Sequence, residues 1–600
     1  MGSTRLQTPS IPVGMLKGTL PEVYIAEEID HFTVAQTYVA RLGSFTFDLL
    51  TNTAMWRDLW ALTGTSRTFY GSQCVYSAWS ELLQTHHPHR FSIIRDSSQI
   101  VRVGAAHSWI QARFTFETAG SPGAECSGFI GLVPGVDGKW NIWLLSTILE
   151  RIQGFPSSDI LEPQSSTKTR HAATDTSNHS LLSCVVIGAG MAGLSVAGRL
   201  QALGVSYVVL EKNDHVGDNW THRYESAKLH TPKSYGHLPF SRTFPPEDPY
   251  FLTKNDLARG FQRYVNDYGI KVCLSVTVES ASLDEEKKIW TVYIRNKNTL
   301  ETSVIRTRHL VLAIGPGGQT PKMPELPNRE LFKGEVLHSV DYKSATRWNG
   351  KAGVVVGSAN TAHDVASDMV DSGLKSVVMV QRSRTGVIPV QYYTQASERL
   401  YNDEIPTEIA DRFQFSLPIA ISRQIATKRM WSLVDAEPER FDALERVGFK
   451  VDRYSDLFVF LCERMGGHYL DVGCSAKIAG GLIKMKSDAR LTQFTPSGLE
   501  FSDGSHVDAD VIIFATGFES NMRLAASSIL GRQVTNELED FWGVDEEGEL
   551  LGAWKPLKYP GLWYTGGAIG YARYFSRFLA LQILADISGA PFQRYTKTPI

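Results

Sequence analysis

Apolar and polar positions follow one recurring plan along much of this chain. A short apolar run precedes a segment with apolar residues at helical spacing, and a second apolar run follows. Residues 184–187 (Cys-Val-Val-Ile) read as a buried parallel strand. Residues 191–203 carry the spacing of a helix and meet Gly204, a residue that ends helices well. Residues 206–210 form the next strand, which stops at Glu211. The plan returns at 353–356, 360–372 and 376–380, where it ends in Gln381-Arg382-Ser383-Arg384. Two such units predict an α/β chain with two Rossmann-like dinucleotide-binding domains.

Other stretches carry other patterns. Residues 91–103, 108–117, 124–133 and 140–149 read as strands, and 56–62 (Trp-Arg-Asp-Leu-Trp-Ala-Leu) as an amphipathic helix. On that helix Asp58 is either an acid facing a pocket or an exposed partner of Arg57. Residues 160–180 are polar and Ser/Thr-rich, a composition that cannot bury enough surface to order a core, and read as a linker. Residues 250–268 read as helix, 272–280 and 290–296 as a strand pair, and 307–314 as the strand that closes the first unit. Residues 390–485 form an irregular excursion rich in aromatics and charge, with Gly466-Gly467-His468-Tyr469-Leu470-Asp471 its most distinctive segment. Excursions of that length cap pockets or make interfaces.

The joints of the two units carry the chemistry. In Gly188-Ala189-Gly190-Met191-Ala192-Gly193, the first glycine permits the tight turn and the second lets backbone approach a pyrophosphate. The third lets the helix pack close to the strand. The helix N-terminus offers free N–H groups and a positive dipole end to phosphate. Glu211 lies about twenty residues on, where a ribose diol needs an acceptor. The second joint keeps Gly357 but has Ala359 and Ala362 at the later glycine positions, with Asn360 opening the helix. Its strand ends in Arg382 and Arg384 rather than an acid. A guanidinium there suits the 2′-phosphate of NADPH; the other reading is a pair of solvated loop charges.

Composition narrows the field. The chain has 600 residues, 43% hydrophobic and 20% charged, enough for several cores and more than one domain. A net charge of −3 gives no reason to expect nucleic acid. The six cysteines (Cys74, Cys126, Cys184, Cys273, Cys462 and Cys474) show no CxxC spacing, which argues against a structural metal site and against a disulfide-reductase centre. No signal pattern and no membrane-length apolar run is visible, so a cytoplasmic protein without a membrane span is expected.

Several further segments resemble the flavin-containing monooxygenases of the two-dinucleotide-domain type, including their plant indole-3-pyruvate monooxygenase branch. Phe332, Gly334, His338 and Tyr342 match the family's F-x-G-x-x-x-H-x-x-x-Y fingerprint, placed between the two joints. Gly217-Asp218-Asn219-Trp220 is similar to its flavin-side G-x-x-W segment, and Leu229-His230-Thr231-Pro232-Lys233 to its loop near the flavin ring. Phe514-Ala515-Thr516-Gly517-Phe518 is similar to its late A-T-G segment, with Leu312-Ala313-Ile314-Gly315 a weaker copy. The resemblance covers residues 183–600. The first 160 residues resemble the SnoaL-like α+β cone found in front of some fungal flavin monooxygenases.

The resemblance implies FAD and NADPH as cofactors, O2 and a small molecule as partners, and oxygenation of nitrogen, sulfur or carbon in secondary metabolism. His230, Lys233 and His338 are the catalytic candidates. His230 either contacts the reacting oxygen or is a satisfied core histidine. Lys233 either meets a cofactor phosphate or is a surface charge, and His338 either acts as a base or organises the crossover. Gly188, Gly190, Gly193, Glu211, Trp220, Gly357, Asn360, Arg382, Arg384, Thr516 and Gly517 are the cofactor-binding candidates. Baeyer–Villiger relatives carry Trp at the end of the fingerprint, whereas this chain has Tyr342-Lys343. A Baeyer–Villiger reaction and a flavin oxidoreductase without oxygen transfer are the alternatives. The expected domains are an N-terminal α+β domain over 1–160, a linker over 161–182, a flavin domain over 183–345 and 510–600, and a nicotinamide domain inserted over 346–509. The N-terminal domain is expected to scaffold or to dimerise the chain.

Overall fold

The computed structural model describes residues 10–135, 138–164, 181–315 and 320–599. Most of the expected linker, residues 165–180, lies outside the described residues. A seven-stranded sheet comes first. Its order is Ser66–Tyr70, Leu50–Leu59, Trp140–Ile152, Ala124–Pro134, His107–Thr118 and His89–Ile93, with Gln99–Val103 also on His107–Thr118. Leu50–Leu59 and Trp140–Ile152 run parallel, and the other pairs are antiparallel. Helices His31–Ala40 and Ser72–His86 pack on it.

The amphipathic helix expected at 56–62 is not there. Those residues complete the strand Leu50–Leu59 and turn into the next, and the helix of this region is Ser72–His86. The strand hides its periodicity because both its faces are covered: Trp56, Arg57, Asp58 and Leu59 are all buried. Arg57 pairs with Glu549 at 2.8 Å. Asp58 is neither exposed nor paired with Arg57. Its carboxylate accepts the Leu62 and Thr63 backbone N–H groups and the Thr63 and Thr147 hydroxyls. Burial raises its pKa to about 6, against the pull of those hydrogen bonds. It clamps a turn.

The second sheet holds the first nucleotide unit. Its order is Val272–Cys273, Tyr207–Leu210, Leu182–Ile187, Thr302–Leu312, Ile289–Asn296 and Val276–Asp284, with Leu562–Tyr564 pairing alongside Thr302–Leu312. The third sheet is wholly parallel: Glu335–His338, Val511–Phe514, Ala352–Val356, Ser376–Val380 and Lys484–Lys486. The strands Glu335–His338 and Val511–Phe514 therefore belong with the second nucleotide unit, on the other side of the boundaries expected at 345 and 510. Val511 pairs with both Glu335 and Gly353, so the A-T-G strand lies between the fingerprint strand and the second unit's first strand.

Residues 390–485 are largely helical rather than irregular. Helices span Val390–Ser397, Thr407–Ser416, Ile419–Ala436 and Pro438–Arg446, and a π-helical turn spans Val459–Arg464. Three of them start just after Pro389, Pro406 and Pro418, and the fourth at Pro438 itself, where a missing N–H costs nothing.

One continuous apolar core runs from the N-terminal sheet through the first nucleotide sheet into the last helix, Ile569–Ile587. A second core fills the second nucleotide unit. Buried charges reinforce the first. Arg412 and Arg577 both pair with Glu150 and Asp159, and Arg199 with Asp159. Burial alone raises Glu150, but the two guanidiniums outweigh it and bring its carboxyl to about 2. Arg573 is likewise spent on Asp411 and on the Tyr235 and His237 carbonyls. Removing one member of such a buried pair typically costs about 3–5 kcal/mol.

Candidate functional site

Geometry at the first turn matches the three glycine roles one by one. Gly188 has φ +104°, and a Cβ there would lie 2.6 Å from the Ala313 carbonyl oxygen. A Cβ on Gly193 would lie 1.9 Å from the Gly188 carbonyl oxygen, so only glycine lets this helix approach this strand. Gly190 differs: its nearest neighbour would be Asn219 Nδ2, at 3.7 Å. The space over Gly190 is open, at the N-terminus of helix Met191–Ala202, where phosphate finds free N–H groups. Glu211 borders it and accepts the Ala189 and Asn213 N–H groups at 2.7 and 2.9 Å. A carboxylate offers about four acceptor sites, which leaves capacity for a ribose diol.

The second turn repeats this geometry. Gly357 has φ +132°, and its Cβ would lie 2.4 Å from the Ala515 carbonyl oxygen. Ala359 caps helix Asn360–Asp371 with φ −95° and ψ −173°, close to Gly190 at −80° and −173°.

The loop over residues 217–233 joins the two turns. Asn219 lies beside Gly190. Tyr224 donates its hydroxyl to Asp364 at 2.8 Å, on the helix of the second turn. Asn360 Oδ1 accepts the Leu470 N–H at 2.8 Å and lies 3.3 Å from His230 Nδ1. The amide oxygen cannot donate, so His230 Nδ1 carries the proton. His230 Nε2 approaches Asp364 Oδ1 at 3.2 Å, out of alignment for a hydrogen bond. His363 stacks on Tyr469 with ring centroids 3.6 Å apart. Burial lowers His363 and His468 to about 4, so both are neutral imidazoles near pH 7.

This seam is rich in buried polar atoms that lack a hydrogen-bond partner among the described residues. They are Trp220 Nε1, Ser226 Oγ, His230 Nε2 and Thr231 Oγ1 on the loop, and His363 Nε2, His468 Nδ1 and Ser475 Oγ across from it. An orphaned buried group costs about 1–3 kcal/mol. A polar, elongated group lying over Gly190 and along the seam fits both the open space and these atoms.

Among the other candidates, Lys233 is not available. Its ammonium donates to the Pro245, Pro246 and Asp248 carbonyls and pins that loop. His338 is no base either. Its Nδ1 accepts the Val340 N–H and its Nε2 donates to the Gly517 carbonyl, which ties the fingerprint strand to the A-T-G segment. Burial lowers its pKa. Gly517 also accepts the Lys322 N–H, and Thr516 donates to the Lys322 carbonyl, so both sit at the crossover beside the third sheet. Arg382 is exposed at the end of the second unit's strand and has no side-chain partner among the described residues. Arg384 is exposed too, but it donates to the Val451 carbonyl at 2.7 Å and lies near Glu445, so it is partly committed. Sequence reasoning missed Tyr224, His363 and Asp364. The helix-facing side of 360–372 holds the last two, a signal that an amphipathic projection contains.

Two nucleotide-binding units facing each other across a polar seam define the class. Residues 185–396 match the family model described as pyridine nucleotide-disulphide oxidoreductase. The indole-3-pyruvate monooxygenase YUCCA8 of Oryza sativa subsp. indica is 30% identical over 347 residues, 56% of this chain and 76% of that protein. The indole-3-pyruvate monooxygenase YUCCA4 of Oryza sativa subsp. japonica is 31% identical over 353 residues, 56% of this chain and 74% of that protein. Among solved structures, NADP+-bound cyclohexanone monooxygenase from Rhodococcus sp. Phi1 aligns at 16% identity and TM-score 0.48, over 68% of this chain and 85% of that one. The chain belongs to the flavin-containing monooxygenase family. No helix among the described residues is long and apolar enough to cross a membrane.

Proposed function

We propose that this chain is a monooxygenase that uses FAD, NADPH and O2 to oxygenate a small metabolite at nitrogen, sulfur or carbon. The observation that carries the reading is the seam: unpartnered buried polar atoms gathered between two turns of matching backbone geometry. The names of the relatives support the same chemistry. A flavin held on the first turn would supply hydride acceptance from a nicotinamide on the second and electron transfer to O2. The chain's own residues do the rest. The Gly188–Gly193 turn and Glu211 hold the ADP half of FAD, and Trp220 Nε1 has a free donor for it. The Gly357 turn and Arg382 hold NADPH. His230, fixed through Asn360, keeps Nε2 as an acceptor inside the seam, and the 217–233 loop excludes water.

Tyr342 supports heteroatom or carbon oxygenation over ester formation: it is buried, bonded through its hydroxyl to Asp368, and stands where Baeyer–Villiger relatives carry Trp. The N-terminal sheet, which we assign as the SnoaL-like module, acts as scaffold, since its acid Asp58 clamps a turn. We place the enzyme in the cytoplasm, tailoring a secondary metabolite. The test is incorporation of 18O2 into a product found by comparing extracts of a deletion strain with its parent. NADPH oxidation that yields only hydrogen peroxide with every accumulated metabolite counts against the proposal.

A further inference from the structure

A groove of about 560 Å³ lies at the other end of the first nucleotide sheet from the seam. Thr307 pairs with Leu182 and His309 with Cys184, at the start of strand Leu182–Ile187, whereas Gly188 follows that strand's end. Nucleotides bind at the carboxyl ends of parallel strands, so this groove has no part in holding either dinucleotide.

Its walls are strongly basic in a chain that holds 60 Lys and Arg against 63 Asp and Glu. Lys287, Lys288, Arg308, Lys558 and Arg594 line it, with Asp586 the acid among them. Lys287 is engaged by Asp284 and Lys558 by Glu537. Lys288, Arg308 and Arg594 make no direct ion pair among the described residues, although the charges of Lys288 and Arg308, after His309, help to lower the Asp586 pKa. Asp586 is itself approached by His309 Nε2 at 3.2 Å, while His309 Nδ1 accepts the Trp563 indole N–H. The imidazole therefore turns its Nε2–H to the Asp586 side without an aligned hydrogen bond, and five cations face this one acid along the groove. Apolar surface from Ile289, Leu557, Trp563 and Phe592 lines the same groove.

We propose that this groove binds a small organic anion, a phosphate or carboxylate carried on a flat apolar body. Lys288, Arg308 and Arg594 receive the anionic head through charge-assisted hydrogen bonds, and the apolar side chains receive the body. The volume suits a ligand of drug size. The proposal does not depend on the chemistry of the seam.

The test titrates flavin-loaded protein by calorimetry with 2-naphthyl phosphate and 2-naphthoate, and with 2-naphthol and inorganic phosphate as probes of each half. Both aromatic anions should bind saturably, and the two half-probes about tenfold more weakly or less. Arg308→Gln and Lys288→Gln should each weaken the anions about tenfold, leaving flavin content and NADPH oxidation unchanged. Lys351→Gln, on a distant surface, should change nothing. Should Arg308→Gln unfold the protein, Lys288→Gln on its exposed turn carries the comparison. Loss of anion binding on adding NADPH would move the ligand to the seam and overturn the proposal. So would binding of 2-naphthol equal to that of the anions, binding insensitive to both variants, or no saturation below about 1 mM.

Discussion

The two glycine turns share a backbone but not a sequence, and the difference separates what folding needs from what binding needs. Both start with a glycine at positive φ whose Cβ would strike a carbonyl oxygen, Ala313 in one and Ala515 in the other. That position admits only glycine in either turn. At the next position the backbone is extended, near φ −80° and −95°, which any residue adopts. Gly190 is therefore not required by the chain's own fold; it leaves space that something else fills. Ala359 places a methyl in the equivalent space. At the third position the first turn packs so tightly that Gly193 is obligatory, while Ala362 fits, fully buried, in the second. The first turn is built for closer contact with its ligand and its strand than the second.

The largest effect should come from Gly190→Val. Its branches fill the open space without straining the backbone, so the protein should purify colourless and inactive, with a thermal midpoint lowered by less than about 4 °C. Full flavin content in that variant would remove the assignment of the first turn. Ala359→Val, the matching change in the second turn, should leave flavin bound and raise the KM for NADPH at least about tenfold, or about 1.4 kcal/mol. If it released flavin instead, the two turns would not be separate sites.

Arg382→Ala sharpens the comparison at the ribose end. Its charge-assisted bond to a 2′-phosphate is worth about 1.5–3 kcal/mol, so KM for NADPH should rise about tenfold or more while that for NADH holds. Equal losses for both would make Arg382 structural. The smallest change is expected from Ala359→Gly, which restores the open space of the first turn. NADPH affinity should improve about two- to threefold, a few tenths of a kcal/mol, as read by quenching of protein fluorescence. A weaker complex would show that the Ala359 methyl contacts the cofactor favourably.

The two nucleotide units were legible because their strands are buried on both faces and their turns carry glycines with distinct steric duties. Apolar runs such as 184–187 need no context to be read. The N-terminal strand Leu50–Leu59 is covered on both faces too, but its run of buried positions includes charged residues. Its polar residues Arg57 and Asp58 are buried by partners as distant as Glu549 and Thr147, so its pattern mimics a half-exposed helix. The helices of 390–485 each start at or just after a proline, a start signal that the reading of this stretch as irregular did not use. At the site, the family resemblance nominated Lys233 and His338, whose polar atoms turn out to be spent on backbone carbonyls and N–H groups. Which histidine keeps an unpartnered nitrogen depends on long-range neighbours such as Asn360 and Leu470, and no local pattern records that.

On the proposed function, a flavin on the first turn would be reduced by a nicotinamide on the second, across the seam. Anaerobic mixing of flavin-loaded protein with NADPH, followed by the loss of oxidised-flavin absorbance, tests it most directly. Wild type should bleach with a rate that saturates in NADPH, and Ala359→Val, with its flavin retained, should need at least about ten times more NADPH for half the maximal rate. Bleaching that is equally fast in both, or absent in wild type with flavin bound, would contradict the account.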